Sequence, residues 1–387
     1  MKIIHVAPIS LIRDTSKETA STYSQIGGLS NSVIKLAKGQ SENQNRVAVI
    51  TTRSSDQLVE EGVSWYSVCK KSIFNLLMQD PFNEIEGKLF IPDIIHTHDI
   101  FELKQLPIIF HALRRGYKVF ISPRGTLSPV ALSRKKIKKI AYIFLALRPL
   151  VRYIEGFAAL NSGEKSHIRS KFPQKKIIII GNGCDDKSRE LNRYSYNYEK
   201  KSLDSIVNIG FMGRYEIHIK GLDLLLNAFV EFQKTEHVDN LKITMIGDHT
   251  IKEFDSNNFI ERIRKSLTNN EMLELKGPLY NQEKWNEISK FDVFIHPSRT
   301  EGMPNAVLEA LSMGIPCSVT PQTNVSEMIK EADCGWIING NVRDIKDHLI
   351  YLSNIKKNFI AERGENALDY SRKKLLWKEI GSQDYDI

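Results

Sequence analysis

Cysteine is scarce in this 387-residue chain: Cys69, Cys184, Cys317 and Cys334 are scattered and make no C-x-x-C pair. Neither a disulfide framework nor a paired-cysteine zinc site is indicated, and the usage suits a reducing cytoplasm, where the protein is expected to act. No apolar run approaches the ~20 residues needed to cross a bilayer. The opening MKIIHVA carries one lysine and a short apolar run with no small-residue cleavage site after it, so it reads as a first β-strand and not as a signal peptide. Internal repeats and low-complexity tracts are missing. No zinc-finger or RNP-type motif accompanies the basic residues, so nucleic acid is not an expected partner.

With 41% hydrophobic residues, the chain is long enough for two domains with separate cores. The formal net charge of +8 is unevenly spread: residues 1–184 carry 27 basic against 14 acidic residues, net +13, and the remainder 27 against 32, net −5. The excess peaks at RKKIKK (134–139), followed by the apolar IAYIFLALRPLV (140–151). A helix with a basic start and an aromatic, aliphatic body suits docking on an anionic membrane surface. The same segment also reads as the buried face of a core helix with a solvated basic end.

Short β-rich runs alternate with helical patterns, which implies parallel sheets with crossover helices. The first series of strands is expected near 2–7, 46–51, 63–68, 93–97, 118–122, 156–160 and 177–181. A second series is expected near 206–212, 241–247, 272–276, 292–296, 316–319 and 335–338. Between them, 185–204 is polar, charged and without a clean period. The expected organisation is α/β with two Rossmann-like domains facing across a cleft: 1–184, a linker at 185–204, then 205–370. Ligands of such sheets bind beyond the carboxyl ends of the strands.

The densest chemistry lies in HPSRTEGMPNAVLE (296–309), where Glu301 and Glu309 stand eight positions apart around a Gly/Pro turn that opens an apolar helix. Pro304 is suited to the first helical turn. Backbone amides from Gly302 through Met303, Pro304 and Asn305 to Ala306, with the positive end of the helix dipole, would face an anionic or hydroxylated ligand. Ionised carboxylates are pure acceptors, suited to hydroxyls; two glutamates near a helix start also simply favour the dipole. Gly27 and Gly28 precede the amphipathic LSNSVIKLAKG and would either let a phosphate approach that helix or serve as a hinge. His96 and His98 share one face if their strand persists. His98 is nearer its carboxyl end, and His96 reads as a hydrogen-bonded core residue. Asp99 either orients His98 or begins a loop. Arg124, with Thr126, lies past another strand end, to touch a substrate or to form a salt bridge. Arg214 ends the strand NIGFM, and Lys220 with Gly221 opens the helix LDLLLNAF, where two cations could neutralise a diphosphate at roughly 1.5–3 kcal/mol per charge-assisted bond.

The Glu301 to Glu309 spacing within S-x-x-E-G-x-P-N resembles the donor site of retaining glycosyltransferases of family 4, which have the GT-B fold. NIGFMGRYEIHIKGLDLLLNAF (208–229), PDIIHTHD (92–99), SPRGTLSP (122–129), IIIIGNGCD (177–185) and Gly27-Gly28 resemble further segments of that family in the expected order, so the resemblance covers nearly the whole chain. The intervening EIHI departs from the family's usual proline- or glycine-containing loop. The resemblance implies transfer from a nucleoside diphosphate sugar, UDP- or GDP-linked, to a glycan or lipid-linked glycan of a surface polysaccharide or lipopolysaccharide. It gives His98 a contact with the donor sugar, Glu309 the ribose hydroxyls, Glu301 and 302–305 the sugar and distal phosphate, Arg214 and Lys220 the leaving group, Gly27-Gly28 the donor phosphate, and Arg124 and Thr126 the acceptor side. With no candidate nucleophile, a same-face substitution through an oxocarbenium-like state is expected. No metal and no cofactor are expected either, because the only Asp-x-Asp is Asp384-Tyr385-Asp386 at the C-terminus. The stretch from 371 resembles a terminal helix that packs back on the first domain. A nucleotide-sugar 2-epimerase of the same fold and a non-catalytic partner subunit are the alternatives; the two glutamates argue against the first, and the presence of Arg214, Lys220 and Glu309 against the second.

Overall fold

A computed structural model describes residues 1–13, 23–54, 62–133, 135–188, 206–235, 240–248, 256–383 and 385. Two units emerge, Met1–Gly183 with Trp377–Ile387, and Cys184–Leu376. The stretch expected as one terminal helix from 371 is therefore divided at 376/377, and Cys184 belongs to the second unit, where it bridges to Leu376. The 185–204 segment is described only as far as 188, and Asp384 and Asp386 also lie outside the described residues.

In chain order the first unit has β1 (Lys2–Ala7), β2 (Leu11–Arg13), β3 (Tyr23–Ile26), β4 (Arg46–Thr51), β5 (Val63–Ser67), β6 (Ile94–His98), β7 (Lys118–Ser122), β8 (Gly156–Ala159) and β9 (Lys176–Ile179). Seven of these form a parallel sheet in the order β5-β4-β1-β6-β7-β8-β9. The antiparallel pair β2-β3 was not expected from the sequence. The second unit has β10 (Val207–Met212), β11 (Leu241–Ile246), β12 (Leu273–Lys276), β13 (Val293–His296), β14 (Cys317–Val319) and β15 (Gly335–Ile337), all parallel in the order β12-β11-β10-β13-β14-β15.

Both sheets are covered on both faces, which is why their strands read as near-continuous apolar runs. On β1, Ile4 and Val6 enter one core layer with Ile50, Ile95 and Ile121, while Ile3 joins Ile94, Phe120 and Trp377 on the other. In the second unit Val207, Ile209 and Phe211 pack with Leu225, Leu226 and Phe229 of the helix Leu222–Phe232. Strand order reverses between β1 and β6 in one sheet and between β10 and β13 in the other. At such a switch point the neighbouring connections leave in opposite directions and open a crevice beyond the carboxyl ends.

The 134–151 segment is less regular than one helix. The helix Lys136–Tyr142 passes through a π-turn at Ile143–Leu147 into Arg148–Val151. Ile143, Leu147 and Val151 are buried in the core, whereas Ile137 is 84% and Leu145 80% exposed. Part of the segment thus matches the core-helix reading, and part of its apolar surface is open to solvent.

The short helix Trp377–Gly381 packs on Gly28–Glu42 at Gly39, where an added Cβ would lie 2.0 Å from the Trp377 carbonyl oxygen. The obstacle is backbone and cannot rotate away. Gly39→Ala is therefore expected to destabilise the first unit by about 1–3 kcal/mol, in the range of an overpacked core, read as a lower denaturation midpoint; an unchanged midpoint would show that the two helices separate freely.

Candidate active site

In the second unit, residues from the ends of β10 and β13 converge. Gly221 caps the helix Leu222–Phe232 at φ 65°, and a Cβ there would meet the Pro297 carbonyl oxygen at 2.1 Å, so only glycine lets the turn before this helix lie against the loop after β13. Arg299 fastens the same junction from the other side, donating to both Asp223 carboxylate oxygens at 2.6 and 2.8 Å and to the His218 carbonyl.

Lys220 is thereby brought to Glu301. Its Nζ lies 2.5 Å from Glu301 Oε1, which also accepts from His296 Nε2 and Ser298 Oγ at 3.0 Å each. Burial works to raise the Glu301 pKa, but the His296 hydrogen bond and the Lys220 charge outweigh it and hold the carboxyl down at about 2. Because a carboxylate only accepts, the proton of His296 sits on Nε2. Its ring is stacked against Phe211 and Phe294, with centroids 5.7 and 6.1 Å away, and burial lowers its pKa. Glu301 Oε2 accepts no hydrogen bond from a described residue, and Lys220 has donors beyond the one given to Oε1.

Glu309 stands on the helix Asn305–Ser312 and accepts from Lys284 Nζ at 2.9 Å. Pro304 stands next to the first helical turn, as the residue that caps it, with ψ 114°. The expectation of free amides across 302–306 is corrected in part: Gly302, Met303 and Asn305 already have partners within the chain. Arg214 is not drawn into the Lys220–Glu301 cluster. Its side chain is 69% exposed and lies 3.6 Å from Glu216, since the strand ends at Met212 and leaves it on the following loop. Near the end of β12, Tyr215, Ile260, Glu261, Arg264, Leu275, Lys276 and Gly277 line a cavity of about 200 Å³.

In the first unit the residues gather at the β1/β6 switch point. His96 and His98 share a face and are fully buried, as is His5 on β1. His5 Nδ1 meets His98 Nε2 at 2.8 Å, and His5 Nε2 meets Gln40 Oε1 at 2.7 Å. His96 contacts the Tyr385 hydroxyl at 2.8 Å and Ser122 Oγ at 2.7 Å. Arg124, in left-handed backbone at φ 57°, directs Nε and Nη2 at His98 Nδ1 (3.3 and 3.2 Å) and donates from Nη1 to Asn182 Oδ1 at 2.6 Å. Burial brings the Arg124 pKa down to about 10 against the opposing pull of Glu164. Thr126 is turned inward and donates to the Pro123 carbonyl. Asp99 begins the loop, accepting from the Phe101 amide, and makes no recorded bond to His98. Gly27 and Gly28 stand at the start of Gly28–Glu42, both exposed.

The ligand atoms of the three histidines lie within 4.8 Å of one another, a spacing that could serve a metal ion. The donor set opposes it: all six ring nitrogens already face a hydrogen-bond partner, and the Arg124 guanidinium presses on one of them. Sequence reasoning missed His5, Gln40, Tyr385, His296, Ser298 and Lys284. The H-P-S at the end of β13 offered a local signal for His296 and Ser298; nothing local marked the others.

Two family models match consecutive parts of the chain, one described as Glycosyltransferase Family 4 over residues 26–188 and one as Glycosyl transferases group 1 over 206–354. Among curated proteins, an uncharacterized glycosyltransferase of Methanocaldococcus jannaschii is 28% identical over 62% of this chain and 61% of its own. The capsular polysaccharide biosynthesis glycosyltransferase CapM of Staphylococcus aureus is 23% identical over 54% of this chain and 55% of its own. The match thus spans less than two thirds of these relatives. Among solved structures, Anabaena HepE in complex with UDP has a TM-score of 0.71 at 14% identity, covering 99% of this chain and 98% of that one. WaaG, a glycosyltransferase involved in lipopolysaccharide biosynthesis, has a TM-score of 0.64 at 14% identity, covering 97% of each chain. At such identities these likenesses establish the GT-B fold.

Burial pushes the His5 pKa down to about 4, and those of His96 and His98 well below the ordinary value, with Arg124 adding to each. An unfolded chain takes up these protons below about pH 6.5, whereas the folded one refuses the His5 proton until about 4. Stability is therefore expected to be full above pH 6.5 and to fall steadily towards pH 4. Glu301 adds a further loss from about 4.5 down towards 2 as its carboxylate is protonated. Denaturant midpoints at pH 7.5 and 5.0 check this; equal midpoints would mean that the folded histidines take up protons as readily as free ones.

Proposed function

We propose that this chain, which belongs to the family 4 glycosyltransferases with the GT-B fold, moves a sugar from a nucleoside diphosphate sugar to a glycan or lipid-linked glycan hydroxyl, with retention at the anomeric carbon. The observation that carries the reading is the Lys220–Glu301 pair at the β10/β13 switch point, immediately before a helix bearing Glu309. Lys220 uses one donor on Glu301 and offers the others to the diphosphate as its leaving charge grows. Glu301 Oε2 accepts from a sugar hydroxyl, and Glu309 from the ribose. The positive end of Asn305–Ser312 adds a fixed partial charge for the distal phosphate, and the exposed Arg214 closes on the phosphates from its loop. The cavity beside Tyr215 suits a base, with Leu275 and Ile260 as apolar walls. UDP, the ligand in the HepE structure, makes a UDP-sugar the first donor to try. Transfer runs without a divalent metal, because Lys220, Arg214 and the helix terminus supply the positive charge.

Cations that act on the developing diphosphate stabilise the transition state more than the ground state. Lys220→Ala should lower turnover by about 2.7–4 kcal/mol in barrier, the size of a lost transition-state donor, with the fold kept and activity persisting in excess chelator. A near-normal rate in this variant, or wild-type activity that returns only with magnesium or manganese, would remove Lys220 from the mechanism. A thermal-shift screen against UDP, GDP, ADP and CMP identifies the base, since a ligand of the native state raises the melting temperature.

The acceptor is reached at an anionic membrane surface through 134–151. Lys135, Lys136, Ile137, Lys138, Phe144 and Leu145 support this, since they place basic groups beside apolar side chains open to solvent on one segment; Arg134 lies outside the described residues. Changing the four lysines 135, 136, 138 and 139 to Gln should weaken co-sedimentation with phosphatidylserine-containing vesicles by roughly 1 kcal/mol per charge that reaches the surface, more so at low salt, with nucleotide binding untouched. Equal sedimentation of wild type and variant at both salt concentrations would return the segment to an ordinary helix with a solvated basic end.

A further inference from the structure

Around the three histidines of the first unit the hydrogen bonds form a single chain whose two ends have fixed character. At one end Arg124 can only donate, so His98 Nδ1 accepts from it and, with a neutral ring, the proton of His98 is on Nε2. That proton is given to His5 Nδ1, so His5 carries its own on Nε2 and gives it to Gln40 Oε1. The amide of Gln40 is thereby oriented, and its Nε2 donates to the Tyr385 hydroxyl at 3.1 Å. At the other end the Ala158 carbonyl can only accept; Ser122 Oγ donates to it at 2.9 Å and so accepts from His96 Nε2. His96 Nδ1 is then an acceptor, and the Tyr385 hydroxyl donates to it. Read from either end, the protons fall in the same places, and no contact sets donor against donor.

We propose that Gln40 and Tyr385 are positioning residues for His98, acting through His5 and His96 to hold its imidazole neutral, with the proton on Nε2 and the Nδ1 lone pair turned to Arg124. The role rests on the transfer proposed above and on what the family resemblance implies, that His98 contacts the donor sugar and Arg124 the acceptor side. Turning the Gln40 amide round would present N–H to His5 Nε2, move the His5 proton to Nδ1 and the His98 proton to Nδ1, and set it against the guanidinium. Tyr385 opposes that turn because its proton is committed to His96 Nδ1, which leaves its oxygen to accept from the amide. Any added proton meets the same obstruction, since it would place donor against donor at Arg124, at the His5–His98 contact or at Tyr385. Among the described residues, the charged groups facing the cluster are Arg124 and, behind it, Glu164, which accepts from the Gly125 and Leu160 amides.

Ring ¹⁵N correlations on the full-length labelled protein read each tautomer directly. In the wild type at pH 8, His5, His96 and His98 should all be neutral with the proton on Nε2; an Nδ1–H or imidazolium form of any of them overturns the relay. Gln40→Glu keeps the acceptor for His5 but loses the donor to Tyr385, so the tyrosine proton turns to the new carboxylate and His96 should switch to Nδ1–H while His98 keeps Nε2–H. An unchanged His96 overturns the coupling. For the positioning role, Tyr385→Phe should lower kcat for release of diphosphate from UDP-glucose, GDP-mannose or ADP-glucose about tenfold with KM unchanged. An unaltered kcat, or kcat and KM falling in step with melting temperature, overturns it. If the variant does not fold, Gln40→Leu, which removes the acceptor that fixes the His5 proton on Nε2, is expected to show the same split. Wild-type protein with the expected tautomers but no turnover of any donor would sink the transfer reading, and the positioning role with it, while leaving the relay as architecture; normal turnover with the wrong tautomers would sink the relay alone.

Discussion

A polar side chain inside a parallel sheet covered on both faces has no water to fall back on, so each one must bring its partner. That constraint governs both units. Their cores are built from largely apolar strands, and most of the buried polar groups named above gather at the carboxyl ends near the switch points or in hydrogen-bond networks; Thr97 Oγ1 on β6 is an exception. Glu301 is tolerable because one of its oxygens gathers Lys220, His296 and Ser298. Breaking such a pair leaves an uncompensated charge, at about 3–5 kcal/mol in a fully buried case.

The two units meet the constraint in opposite ways. In the second, charge is balanced by charge: Lys220 with Glu301, Lys284 with Glu309, Arg299 with Asp223. Each ion pair leaves acceptor or donor capacity on a side chain that is not fully enclosed, which suits a ligand carrying both hydroxyls and phosphates. In the first, three imidazoles are kept neutral and joined in a directed chain that ends on one cation, Arg124. Arg124 and Asp99, at the ends of β7 and β6, both adopt left-handed backbone without being glycine. Such strain, of order 1–3 kcal/mol each, persists only where the surroundings over-determine it; here Arg124 is held by His98 and Asn182 through its side chain, and Asp99 by the Phe101 amide.

Much of the fold was legible. Thirteen strands of the two parallel sheets lie where β-rich runs bounded by turn residues put them, because a strand buried on both faces must be apolar at successive positions. The pair β2-β3 was missed, since its residues lie among polar ones and its pairing depends on contact between two short segments. In the site, Glu301, Glu309 and Lys220 were legible because their chemistry is local: a charged residue beside a turn and a helix start. Lys284 was not, because the residue that meets Glu309 comes from a different helix, 25 positions away.

Sequence by itself determined the two tandem parallel sheets, the strand ends at which the chemistry sits, and the carboxylates and cations available there, since periodicity and turn residues act over a few positions. Only the tertiary structure decided which of those charges meet. It turned Lys220 onto Glu301 and left Arg214 to solvent, because Gly221 admits the Pro297 carbonyl and draws the lysine end of the turn, not its start, against β13. It also made His96 and His98 members of one network with His5, Gln40 and Tyr385, in which one hydrogen bond, from Gln40 to Tyr385, spans 345 positions. Neighbours across parallel strands and packed helices are set by sheet order and register, which no local pattern of residues specifies.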